Sequence, residues 1–85
     1  MIVLDSHKGI KLDEKQRDLE LEAIRSGQKD EFGVRPLNVY FNDAGRIFCL
    51  TEAPSVEAVK KAHSKMGVKC DEIVAVNCLA NCACT

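Results

Sequence analysis

Residues 45–76 read GRIFCLTEAPSVEAVKKAHSKMGVKCDEIVAV, a strand, a helix and a second strand in succession. From Arg46 to Leu50 the side chains alternate, with Phe48 and Leu50 pointing one way and Ile47 and Cys49 the other. Pro54 suits a first helical turn, Glu57 complements the positive end of the helix dipole, and Gly67 supplies a stop. Val56, Val59, Ala62 and Met66 recur at helical spacing, so this helix must dock one face on a sheet. Glu72 to Val76 is apolar enough for a closing strand. The stretch also carries Cys49, His63 and Cys70, three soft or borderline metal donors in a chain with only two histidines.

Upstream, Gly45 closes the connection Asn42-Asp43-Ala44-Gly45, a tight hairpin leading back to a strand over Val34–Phe41. In that strand Leu37, Val39 and Phe41 share one side and Pro36, Asn38 and Tyr40 the other, and Pro36 favours an edge position because it has no N–H to donate. The charged run from about Leu12 to Phe32 has a narrow stripe of Leu12, Leu19, Ala23 and Ile24, which predicts a helix capped by Asp13. Gly27 weakens its middle and predicts a kink or two shorter helices, with Gly33 as the terminator. Met1–Ser6 reads as a first strand broken after His7 by Lys8-Gly9.

The order strand, helix, strand, strand, helix, strand is that of an α+β, ferredoxin-like βαββαβ sandwich: a four-stranded antiparallel sheet with two helices on one face. The expected arrangement has the first and last strands in the centre and the other two at the edges. Alternation assigns Val3, Asp5, His7, Asn38, Tyr40, Ile47, Cys49, Ile73 and Ala75 to the uncovered face. That face is too apolar in places to meet water alone, which predicts a homodimer through the open sheet face, with a partly polar cavity between stacked sheets. The domain spans 1–76, and 77–85 is a Cys-rich C-terminal tail.

At 85 residues the chain is one domain, burying roughly 60–65% of its unfolded surface. Its net charge of −1, with basic and acidic residues interleaved, argues against a nucleic-acid or anionic-membrane partner. The apolar start Met1–Leu4 ends at Asp5, too short for a signal core or a membrane span, so a cytoplasmic location is expected. Five cysteines, an odd number, then favour free thiols or metal ligation over a disulfide framework. Phosphate loops, nucleophile elbows and HExxH helices are absent from the sequence.

The chain resembles a family of small bacterial nickel-binding proteins of ferredoxin-like fold, many catalogued as a domain of unknown function. The likeness rests on Asp5-Ser6-His7, Phe32-Gly33-Val34 with Leu37 and Tyr40, Gly45-Arg46, the FCLxEAP core from Phe48 to Pro54, Glu57-Ala58-Val59, the helical His63, Gly67 and Asp71-Glu72-Ile73. It implies a homodimer that binds Ni(II) without an established reaction. Members usually carry a further histidine in the first helix, where Glu22 is the nearest substitute here, and a Tyr-Trp where this chain has Tyr40-Phe41.

His7 and His63 are the leading metal ligands, with Asp5 and Cys49 as further candidates; Zn(II) and Cu are alternatives to nickel. Asp5 and His7, two apart on a strand, share a side and suit two ligands or a ligand with its orienting carboxylate. Each has an ordinary alternative: His7 as a surface side chain beside a turn, His63 as a ring packed at the sheet edge, Cys49 as a small buried hydrophobe. The reading is a metal-binding protein acting in sequestration or sensing. One rival is a cofactor-free enzyme in which Tyr40, His7 and Asp5 handle protons in a cavity on the open face. Another is a thiol or metal module built on Cys78, Cys82 and Cys84, with Cys70 as a fourth thiolate.

Overall fold

The computed structural model describes residues 1–9 and 12–79. Its elements run β1 (Ile2–Lys8), α1 (Glu14–Ser26), β2 (Arg35–Phe41), β3 (Arg46–Glu52), α2 (Val56–Met66) and β4 (Glu72–Val76). This is the expected ferredoxin-like α+β order. All three strand pairings are antiparallel.

Local chemistry sets the boundaries. Asp13 caps α1 through a capping box, accepting from the Gln16 backbone N–H while the Gln16 side chain accepts from the Asp13 N–H. Gly27, at φ 65°, ends this helix in the left-handed conformation, so the glycine expected to kink it terminates it, and Gly33 lies in the following loop. Ser55 caps α2, with Pro54 just outside, and Gly67 closes it. At the hairpin Asn42 Oδ1 accepts from the Ala44 and Arg46 N–H groups, and Gly45 takes φ 82°.

The sheet order is β2-β3-β1-β4. The first and third strands are therefore central and the last is an edge, which corrects the expected placement of the last strand in the middle. A hairpin requires β3 beside β2, and β3 in turn pairs along the whole of β1 from Ile2↔Glu52 to Lys8↔Arg46. The β4 strand can then add only on the far side of β1.

A second correction concerns the two faces. Directly paired residues share a side of the sheet, and Asp5 pairs with Cys49 and Ile73, Val3 with Thr51 and Ala75, and His7 with Ile47. Val3 packs against Val59 of α2 in the core with Ala53, and His63 of the same helix meets Asp5. Val3, Asp5, His7, Ile47, Cys49, Ile73 and Ala75 thus belong to the helix-covered side. Of the residues assigned to the open face only Asn38 and Tyr40 lie there, opposite Leu50 and Phe48 and beside Leu4, Ser6 and Val74. The irregularity between Pro36 and Asn38 shifts the β2 register. The expected inter-sheet cavity containing Asp5 and His7 is consequently not formed by these strands, because both side chains are sealed inside one chain.

Candidate metal centre

Asp5, His7, His63 and Cys70 each place one donor atom within 4.8 Å of the others. The residues come from three directions: Asp5 and His7 from the central strand, His63 from the third turn of α2, and Cys70 from the turn leading into β4. Asp5 is fully buried and His7 almost so, while His63 and Cys70 are half-buried. Burying a carboxylate beside two imidazoles is unfavourable without mutual pairing, and the pairing is extensive. Asp5 Oδ2 lies 3.1 Å from His7 Nε2, 2.7 Å from His63 Nε2 and 3.5 Å from the Cys70 Sγ, whose S–H it accepts. The two rings stand 5.4 Å apart between centroids, tilted by 32°.

The outer nitrogens define how the rings are held. His7 Nδ1 is 2.7 Å from the Lys69 carbonyl oxygen, and His63 Nδ1 is 2.8 Å from the Val59 carbonyl oxygen. A carbonyl only accepts, so both Nδ1 atoms carry hydrogen and donate. Each Nε2 is then the atom free to release a proton and present a lone pair toward Asp5. This is the arrangement in which protein imidazoles ligate metals, with one nitrogen tied to a backbone carbonyl and the other aimed at the ion. Asp5 Oδ1 is buried and has no hydrogen-bond partner among the described residues.

Electrostatics follow from this packing. The hydrogen bond to Asp5 is the main influence raising the His63 pKa; burial opposes it, and the Val59 carbonyl and the charges of Asp5 and Glu20 add to it. The thiols behave oppositely. Burial, reinforced by the Asp5 charge, pushes both Cys49 and Cys70 up to about 12, so neither is a thiolate at neutral pH unless something replaces the proton. A nucleophilic cysteine does not fit such surroundings. Two imidazoles, a carboxylate and a thiol are instead a donor set for borderline first-row ions, and poorly suited to Mg²⁺ or Ca²⁺.

Three of the four residues expected as ligands, Asp5, His7 and His63, meet here. The fourth, Cys49, pairs with Asp5 across the strands but lies outside the group of four donor atoms, and Cys70 stands in the thiol position. In the sequence Cys70 stands out as a soft donor near the last strand and as a possible fourth thiolate for the tail cysteines, not as a partner of Asp5 and the two histidines. What brings it in is the short link from Gly67 to Glu72, anchored by the Asp71 N–H to the Ser6 carbonyl and by the Lys8 N–H to the Asp71 carboxylate. Glu20 and Glu22 are both exposed, and of the two it is Glu20 that lines the cavities beside the site. Tyr40 is on the opposite face from Asp5 and His7, so the proton-handling trio of the enzyme reading is not assembled within the chain. Of the tail cluster, Cys82 and Cys84 lie outside the described residues.

A ferredoxin-like domain with a buried two-histidine, carboxylate and thiol cluster is the class that fold and site define. The family described as "Nickel responsive protein SCO4226-like" matches residues 1–76, and this chain belongs to it. The crystal structure of SCO4226 from Streptomyces coelicolor A3(2) is similar, with a TM-score of 0.72 and 33% identity, covering 94% of this chain and 100% of that one. Among curated protein sequences none matches the chain.

Proposed function

We propose that this protein binds one Ni(II) per chain through Asp5, His7, His63 and Cys70, and that it serves to sequester or sense the metal. The observation that carries the reading is the tethering of both Nδ1–H groups to backbone carbonyls, which directs two Nε2 atoms, a carboxylate and a thiol at one point. Metal uptake exchanges protons for the ion. A bound ion would be held by the two Nε2 atoms, the Asp5 carboxylate and the Cys70 sulfur, the thiol giving up its proton in exchange. The family description supplies the preference for nickel over Zn(II) or Cu, which the donor set alone accepts as well.

Elemental analysis and calorimetry of protein purified without a histidine tag test this directly. One equivalent of nickel is expected for the native chain and none for His7→Ala/His63→Ala. Unchanged stoichiometry in the double variant rejects the assignment. The same measurement on protein truncated after Val76 tests whether 1–76 is the functional domain: retained nickel supports it, and loss moves the site to the Cys78, Cys82 and Cys84 tail.

The assembly we propose is a homodimer pairing the open sheet faces. Its support is the apolar character of that face, where Leu4, Phe48 and Leu50 are incompletely covered and Tyr40 and Val74 are exposed. Light scattering should give twice the chain mass, falling to the monomer in Leu50→Lys. A cytoplasmic location belongs to the same proposal; among the described residues no helix is long and apolar enough to cross a membrane.

A further inference from the structure

The four donor atoms are largely withdrawn from solvent, so an ion needs a passage to them. The α2 side is closed by packing: Val59 is fully buried, and Ala58 and Ala62 are nearly so. On the other side α1 has no buried residue and touches the sheet mainly over the edge strand β2, steadied by Arg17 over the Phe41 ring at 4.7 Å. Leu19, on the apolar stripe of α1, remains 58% exposed while lining a cavity of about 240 Å³ that reaches His7. A second cavity of about 420 Å³ reaches His63. Both are lined by Glu20, Val39 and Cys49, so together they form a cleft along α1 whose two ends touch the two metal-site imidazoles.

We propose that this cleft is the route by which the divalent cation reaches the buried cluster, and that Glu20 is the carboxylate that draws it in. The inference rests on the metal-binding reading above. Among the described residues Glu20 is the one acidic side chain common to both cavities. In the cavity that ends at His63, Lys29 and Asp30 also line the wall and cancel in formal charge, and Lys29 is drawn to Glu52 at 3.8 Å. Among the described residues, the cavity that ends at His7 has no other charged group besides Glu20 and the histidine itself. A single carboxylate beside apolar walls focuses its field along such a cleft. The alternative approach, past Cys70, is flanked in sequence by Lys69 and Asp71, whose formal charges cancel. Cys49 then acts as part of the neutral passage wall, its thiol remaining protonated.

Stopped-flow mixing of the intact, metal-free protein with nickel sulfate, followed by the thiolate-to-metal charge-transfer band, tests the route. Glu20→Gln should slow association about two- to fivefold at low salt, with the difference shrinking at about 1 M salt. Glu22→Gln removes the same charge two residues away at a position that lines neither cavity and should leave the rate unchanged. Leu19→Trp, which fills the mouth of the cleft without touching a donor, should slow association and dissociation by the same factor and leave the Kd unaltered. Equal association rates for native, Glu20→Gln and Leu19→Trp proteins would overturn the route. So would a Glu20→Gln effect confined to dissociation, which would make Glu20 a ligand. Absence of nickel uptake by the native protein would instead defeat the metal-binding reading itself, so the two failures are distinguishable.

Discussion

The two helices cover the same side of the sheet and do opposite things. The second, α2, buries Val59 against Val3 and Ala53, and in the same turns delivers His63 to Asp5. The first, α1, is better capped at its start yet buries no residue, and its Leu19 hangs over open space. Capping and charge pairing suffice to make α1 a helix, but only packing fixes a helix in place. Rigid support lies where the donor atoms are, and the looser helix lies over the cleft proposed as the ion's route. A buried site with exchangeable contents needs both.

The largest effects should separate these two halves. Asp5→Ala leaves two imidazoles and a thiol around an empty centre. It should cost about 3 kcal/mol in urea unfolding and abolish nickel binding, whereas Glu20→Ala should change stability by less than about 0.5 kcal/mol. A stable Asp5→Ala protein would mean that the cluster is not a structural keystone. Next in size is packing. Val59→Ala removes two methyl groups from a fully buried position and should cost about 2 kcal/mol, while Leu19→Ala should fall within about 0.5 kcal/mol of the native protein. Equal losses at the two positions would show that α1 packs as firmly as α2 in solution.

The sequence made this element order readable because glycines and caps punctuate it cleanly: Asp13, Gly45, Pro54 and Gly67 each fall at or beside an observed boundary. Parity was the weak point. In β1 both alternating sets mix apolar and polar residues, Ile2, Leu4 and Ser6 on one side and Val3, Asp5 and His7 on the other, so periodicity separates the sides without saying which is inside. Polarity then argues for the wrong one, since an aspartate and a histidine read as solvent-facing. The site itself breaks the rule by burying them. The Cys70 contact was illegible for another reason: it depends on how β4 docks beside β1, a pairing between residues more than sixty positions apart. Glu22 and Glu20 were likewise separable only by knowing which side of α1 faces the cleft.

A smaller effect sharpens the contrast between the thiols. Cys70→Ser should weaken nickel binding about tenfold or more in a competitive titration, because an alcohol is a harder and less acidic donor. Cys49→Ser, at the floor of the cleft but outside the donor group, should stay within about twofold of the native affinity. Reversal of that order would transfer the thiol role to Cys49.

The gentlest distinction is by pH, because the two sides of the molecule carry ion pairs of opposite sign behaviour. His63 is raised above its ordinary 6.5 chiefly by its hydrogen bond to Asp5. Its folded form therefore holds the proton more tightly than the unfolded chain does. The stability this gives the metal-free protein is fully present below about pH 6.5 and is lost as pH rises through the raised folded value. Glu52, hydrogen-bonded by Arg35 at the edge of the sheet near the end of α1, is lowered from 4.5. Its contribution is present above about pH 4.5 and disappears as pH falls through the lowered value. Thermal melts of the metal-free protein from pH 3 to 9 should accordingly show His63→Gln converging with the native protein on the alkaline side, and Glu52→Gln converging with it on the acid side. Nickel turns the first of these around: because the ion competes with the His63 proton, affinity should rise over the same pH range in which metal-free stability falls. If affinity were flat across that range, the imidazole proton would not be what the metal displaces, and α2 would be holding His63 for packing alone.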